Sequence, residues 1–331
     1  MKLFLKILKY LVLGIALVVV VFVSAVFLRH DRTFEAPYPT VQISTDSATL
    51  ARGKYLVYGP AHCSFCHVPL SEFEKVERGE EVALSGGFDF KLPFGTVYAP
   101  NITPDEETGI GKLRDEEIAR SLRYGIRHDG RAIIDFMPFY DLSERDLNAI
   151  LSYLKTTKPV KNVRPQNEWS FMGKAMNAFL IEPSGDGDVP EAPAPDTTVI
   201  YGAYVANSIA NCRGCHTPRS MMTGAYTGPE MSGGNPFEVF DVQSGEIMKG
   251  KHLITPNITF DTETGRVAGW SQADFIKRFR QGRVIAGSPM PWGPFSRMTD
   301  RELIAVYKYL KTIEPTKSVT PLGVQEGDPP M

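Results

Sequence analysis

Four cysteines in 331 residues fall in two identical frames. Cys63 and Cys66 stand in "AHCSFCHVP", and Cys212 and Cys215 in "NCRGCHTPR". Each frame reads Cys-x-x-Cys-His, so His67 and His216 follow directly on the second thiol. Four cysteines are too few to staple a chain of this length with disulfides. A four-thiolate zinc site needs its two pairs ~15–20 residues apart. Here Cys66 and Cys212 lie 146 residues apart, and each pair carries its own histidine. A thioredoxin-like redox pair has no use for that histidine.

Covalent c-type haem attachment uses all three residues. Each cysteine forms a thioether to a vinyl group of the porphyrin, and the histidine ligates the iron from below. The motif occurs twice in matching surroundings, so two covalently attached haem c groups are expected. Length suggests about two domains of ~150 residues. The net charge of −2 gives no reason to expect a nucleic-acid partner.

The N-terminus has a different character. Leu11 to Leu28, "LVLGIALVVVVFVSAVFL", is an uncharged run of 18 residues. As a helix it spans ~27 Å, enough for a bilayer core. Lys2, Lys6 and Lys9 precede it, which keeps that side in the cytoplasm. A cleaved signal peptide is the alternative, but the run exceeds the usual ~7–15 residues and lacks a small-x-small cleavage site before the charges. Residues 1–32 are therefore expected to be an uncleaved membrane anchor. Either reading exports the rest of the chain, the side on which bacteria attach c-type haem.

The motifs belong to a long internal repeat. "GKYLVYGPAHCSFCH" from Gly53 answers "GAYVANSIANCRGCH" from Gly202, 149 residues on. "YAPNITPDEETG" from Tyr98 answers "ITPNITFDTETG" from Ile254, 156 residues on, so the second copy has seven extra residues in between. "SERDLNAILSYLKT" from Ser143 answers "TDRELIAVYKYLKT" from Thr299. Leu147, Ile150, Leu151 and Leu154 make one apolar helix face, as do Leu303, Val306, Tyr307 and Leu310. Ser143 with Asp146, and Thr299 with Glu302, read as capping boxes. Gly53 and Gly202 would let an opening helix approach the closing one. No sustained alternation argues for a sheet. The boundaries expected are cytochrome-like units at 45–165 and 197–316, a linker at 166–196 and a tail at 317–331.

A haem iron with one histidine has a second axial position. A thioether there suits electron transfer, whereas an open position suits peroxide chemistry. Met137 in "DFMPFYDLSERDL" and Met290 in "SPMPWGPFSRMTDREL" occupy matching places. Each is followed by Pro and an aromatic residue, which stiffens the turn. Met298 has no counterpart and ranks below Met290. Asn211 stands where the first copy has His62, so His62 is not expected to ligate. His128 and His252 have no repeat partners. Arg123 and Arg280 match, and read as propionate partners or as solvated helix arginines.

With "NITPDEETGIG", "RYGIRHDGR", "MPF" and "DLNAILSYLK", the chain resembles the cytochrome c subunits of bacterial membrane-bound alcohol, aldehyde and gluconate dehydrogenases. The resemblance covers most of residues 45–315. It departs in having two haem motifs where those subunits typically have three, in lacking a second "PFGT", and in pairing Leu113 with Trp270. It implies a mostly α fold of two tandem class I cytochrome c-like domains behind an N-terminal transmembrane helix. It implies one haem on Cys63, Cys66, His67 and Met137, and another on Cys212, Cys215, His216 and Met290. The iron ligands are His67, Met137, His216 and Met290, and no residue is catalytic. Function follows as single-electron transfer between a periplasmic dehydrogenase or other donor and the respiratory chain. A terminal oxidase or other acceptor lies downstream, and the chain sits as a single-pass protein in the bacterial inner membrane with its haems outside. The alternative is a dihaem peroxidase-type enzyme with one open iron.

Overall fold

The computed structural model describes residues 1–185, 187, 189–220, 224–241 and 247–329. The chain is mostly helical. Helix α1 (Lys2–Arg29) carries the apolar run, with a mean hydropathy of 3.2 over its most apolar 18 residues and its side chains largely exposed. The first repeat contains α2 (Ser47–Tyr58), the short α3 (Cys63–Cys66), α4 (Phe73–Glu77), α5 (Asp115–Tyr124) and α6 (Glu144–Thr156). After α7 (Phe171–Phe179), the second contains α8 (Val199–Tyr204), α9 (Cys212–His216), α10 (Gln272–Arg280), α11 (Trp292–Phe295) and α12 (Asp300–Leu310). A π turn, Val205–Ile209, continues α8 towards the motif.

The opening and closing helices of each repeat cross at a glycine, as their sequences lead one to expect. A Cβ on Gly53 would lie 1.9 Å from the Ala149 carbonyl oxygen, and one on Gly202 would lie 2.0 Å from that of Ala305. Only a residue without a side chain lets the backbones meet this closely. The apolar faces of α6 and α12 then enter the interior: Leu147, Ile150, Leu151 and Leu154, and Leu303, Val306 and Leu310 are all buried. That interior runs without interruption from one repeat to the other.

Two small sheets are present where none was expected. Strands β1 (Asp89–Leu92) and β2 (Gly95–Tyr98) form a hairpin joined by β3 (Glu168–Trp169). Strands β4 (Pro236–Phe240) and β5 (Ile247–Ile254) form a longer hairpin joined by β6 (Gln325–Glu326). Strands this short leave no readable alternation in a sequence. The longer second hairpin accounts for the extra residues of that copy. The segments read as linker and tail also carry structure. Helix α7 and β3 lie within 166–196, because "FMGKAMNAF" has an apolar face that packs on α1 through Phe22 and Phe27. Within 317–331, β6 pairs with β5, and the Asn257 N–H donates to Thr320 Oγ1 at 3.3 Å.

The repeats grip each other reciprocally. Tyr55 of α2 donates its hydroxyl to Glu302 and accepts from the Thr299 N–H at 3.1 Å, at the start of α12. Its repeat mate Tyr204 donates to Asp146 at 2.9 Å and accepts from the Ser143 N–H at 3.1 Å, at the start of α6. Each repeat thus caps the closing helix of the other. Arg52 completes the cluster with a two-pronged bond to Asp146, at 3.1 and 2.9 Å, and an ion pair to Glu302 at 3.6 Å. Thr299 and Glu302 form the expected capping box, whereas Asp146 turns its carboxylate to Arg52 and leaves only the Ser143 half of the other. Burial works to raise the Asp146 carboxyl, but the Arg52 guanidinium reverses this and holds it below the usual range. Burial, and then the adjacent carboxylates, keep Tyr55 and Tyr204 protonated.

Candidate haem-binding sites

Each motif begins with a backbone constraint. His62 and Asn211, the residues before the first cysteines, have φ of 43° and 50°, in the left-handed region. Asn and His are among the few side chains tolerated there. This explains why the position can change from His to Asn between the copies. From that bend the chain makes one helical turn in each copy, α3 and α9, presenting two thiols three residues apart. All four thiols are free. Burial pushes Cys63, Cys66 and Cys212 up to about 12. Cys215 is the exposed one, and desolvation raises it too. A redox-active Cys-x-x-Cys pair has the opposite shift, a thiol depressed into the neutral range.

The histidines are held identically. His67 Nδ1 lies 2.8 Å from the Pro100 carbonyl oxygen, and His216 Nδ1 lies 3.0 Å from that of Pro256. A carbonyl only accepts, so Nδ1 carries the proton and Nε2 is left with its lone pair. Burial lowers the pKa of both imidazoles, with the carbonyl bond opposing it, so both are neutral as a metal ligand must be. An Nδ1–carbonyl bond of this kind fixes the ring orientation of iron-ligating histidines.

The two prolines open the repeated "Asn-Ile-Thr" loops, and those loops explain residues that sequence reasoning left without a role. Asn101 and Asn257 are 2% and 0% exposed. Each side-chain oxygen accepts from a threonine two residues on, Thr103 or Thr259, through its backbone N–H at 2.9 Å and its hydroxyl at 2.8 Å. Each side-chain nitrogen donates at 2.8 Å to a carbonyl just past the closing helix, that of Val160 or Thr316. Asp105 and Asp261 fold the rest of the loop by accepting from Thr108 and Thr264. The asparagine thus ties the loop, and with it the carbonyl that orients the histidine, to the core. Asn257→Ala strands several buried polar groups and is expected to cost about 2–3 kcal/mol. A fall in the melting temperature of the haem-bound protein by several degrees checks this.

Met137 and Met290 sit alike, half-buried against the shared core that also receives Cys63 and Cys212. Each methionine carbonyl accepts from the N–H two residues on, Phe139 at 2.9 Å and Trp292 at 2.7 Å, so both Met-Pro-aromatic segments are tight turns. Met298 is 2% exposed and packs in the interior. Of the matched arginines, Arg123 is buried and Arg280 is exposed beside Asp300. Arg123 donates to the Tyr140 carbonyl, and Arg280 donates to those of Ser296 and Met298 at 2.7 and 2.6 Å. They tie the chain after each Met turn to α5 and α10.

Free thiols three apart, a neutral imidazole with Nε2 available, and a stiff methionine turn fit a covalently held haem in each repeat. No protein-family model matches the chain. Among curated proteins, it is 30% identical over 309 residues to the cytochrome c subunit of the quinone alcohol dehydrogenase of Gluconobacter oxydans (strain 621H), covering 85% of this chain and 58% of that one. This chain is homologous to bacterial cytochrome c subunits. The cytochrome c subunit of gluconate 2-dehydrogenase from Pantoea cypripedii is 26% identical, over 81% of this cytochrome homologue and 60% of the relative. A diheme cytochrome c-type protein of Cereibacter sphaeroides is 23% identical, over 78% of this chain and 83% of its own. The chain spans about three fifths of these two dehydrogenase cytochrome c subunits.

Proposed function

We propose that this protein is a membrane-anchored dihaem cytochrome c that carries single electrons between a periplasmic dehydrogenase, or another donor, and a respiratory acceptor such as a terminal oxidase. The observation that carries the reading is the repeated Nδ1–carbonyl bond, which leaves one imidazole nitrogen free beside each pair of thiols. Bound haem would supply a reversible one-electron couple. The chain's own residues hold and tune it. Cys63 and Cys66, and Cys212 and Cys215, tether the two porphyrins. His67 with Met137, and His216 with Met290, would hold the two irons, and a thioether ligand would raise the potential and close the iron to small ligands. The protein makes and breaks no substrate bonds in this reading. The dehydrogenase names of the relatives support the choice of donor.

Membrane attachment rests on α1, whose exposed apolar side chains have no partner in water. Helix α7 supports the same reading. It packs on the outer end of α1 and leaves Phe171, Met172, Phe179 and Leu180 about half exposed, continuing the apolar surface.

Intact-mass measurement of the purified protein tests the proposal. The expected mass is that of the chain plus two haems, unchanged by acid-acetone extraction, and the reduced protein should bind no carbon monoxide. A single haem, or none, overturns the dihaem reading. Rapid carbon monoxide binding at one iron replaces the electron carrier with a peroxidase-type enzyme.

A further inference from the structure

We propose that Glu77, a side chain of the first repeat, is a positioning residue for Met290 and so controls ligation of the second haem from across the repeat boundary. The inference rests on Met290 being the second axial ligand. Arg283 Nε and Nη2 meet the two Glu77 oxygens at 2.9 and 3.0 Å, a two-pronged pair whose side chains are 8% and 14% exposed. The Gly293 N–H donates to Glu77 Oε1 at 3.2 Å. Arg283 also donates to the Ser288 carbonyl. Ser288 Oγ in turn accepts from the Met290 N–H at 3.4 Å and from Trp292 Nε1 at 3.3 Å. The chain on both sides of Met290, at 288 and at 293, is therefore fastened to one carboxylate.

The seat is tight as well as charged. A Cβ on Gly293 would lie 2.6 Å from Glu77 Cα, so α11 and α4 touch backbone to backbone. The Arg283 guanidinium lies 5.9 Å from the ring centre of Phe73 in the first repeat and 5.4 Å from that of Phe240 in the second. A charge enclosed in this way is costly to leave unpaired. A weak thioether ligand depends on its loop being held in place, because the bond alone does not hold the loop.

Among the described residues, the Met137 turn has no two-pronged carboxylate–arginine clamp of this kind. Ile126 stands at the repeat position of Arg283. The Met137 segment meets the other repeat through ion pairs of Asp135 with Arg219 at 3.5 Å and of Asp141 with Arg213 at 3.8 Å, both longer than the Glu77–Arg283 pair. Loss of Glu77 should therefore affect one methionine and spare the other.

The test uses the full-length haem-bound protein and the near-infrared sulfur-to-iron band of the oxidised form, read together with carbon monoxide binding. Glu77→Gln should keep both haems, lower the band towards one-haem intensity and open one iron to carbon monoxide. In a Met137→Ala background it should remove what remains of the band, whereas in a Met290→Ala background it should change nothing further. Arg297→Ala is the structural control. It breaks a neighbouring cross-repeat bond, to the Glu80 carbonyl at 3.3 Å, and should leave the band whole. If Glu77→Gln yields no haem-bound protein, Arg283→Lys carries the same test, since it keeps the buried charge and loses the fork. A full band in that variant, or in Glu77→Gln, while Met290→Ala halves it, overturns the positioning role. Equal loss in Arg297→Ala also overturns it, in favour of a merely structural interface. A full band in Met290→Ala shows instead that the ligand reading was wrong.

Discussion

Replacing Cys63 and Cys66 together by alanine is expected to leave a protein with one covalent haem, on the second repeat. The second repeat should still fold, but its stability should fall, because the interior is continuous across the boundary and the first porphyrin would leave a void in it. Cavities of even side-chain size cost about 2–5 kcal/mol, and a protein of this size loses ~2–4 °C of melting temperature per kcal/mol. Loss of ellipticity on heating should therefore begin at least several degrees earlier throughout the chain. If the second repeat melted at its original temperature, the shared interior would be energetically unimportant.

Gly202→Val is expected to do comparable damage without touching a ligand. Its first added carbon would have to stand 2.0 Å from the Ala305 oxygen and 2.4 Å from the Ala305 carbonyl carbon, both backbone atoms of α12 that cannot swing aside. Overpacking a core costs up to ~3 kcal/mol when neighbours can adjust, and here they cannot without moving a helix. Against a total stability of ~5–15 kcal/mol, the yield of haem-bound protein should collapse. Gly269→Ala, where nothing lies within 4 Å, should behave as the unaltered protein and serves as the control. Equal yields of the two variants would show that α8 and α12 do not need this approach.

Much of the architecture was legible because it is local or repeated. The apolar faces of α6 and α12 follow from spacing, and the two glycines are recognisable once the copies are aligned. What was missed has physical reasons. The strands are too short for a period of two to register against chance. Helix α7 hides in a segment whose later half is rich in Pro, Gly and acid, which lent its character to the whole. The equivalence of His62 and Asn211 is one of backbone angle and not of side-chain chemistry, so comparing letters shows only a mismatch. Asn101 and Asn257 stood in plain view inside the repeated loop, but their partners Val160 and Thr316 lie 59 residues on and bear no polar side-chain signal at Val160. Arg123 and Arg280 match in the repeat, but the sequence does not show that both donate to main-chain carbonyls or that only Arg280 stays exposed. The contacts between repeats, such as Tyr55 with Glu302, link residues 247 positions apart, and nothing local in the sequence announces them.

The crossed tyrosines have a consequence for ancestry. An interface in which Tyr55 does for one half what Tyr204 does for the other is that of a symmetric homodimer written into a single polypeptide. In a true homodimer every substitution appears twice. An arginine at the position of Arg52 would face its own copy across the axis, and a tyrosine there would leave the two carboxylates without the guanidinium that joins them. Here Arg52 has Tyr201 as its repeat mate, and one guanidinium serves both Asp146 and Glu302. A fused gene can mutate one side of the axis alone. The same freedom gives the second Met turn a buried arginine clamp while the first has an isoleucine, so two halves of common origin are able to diverge in how firmly each turn is held.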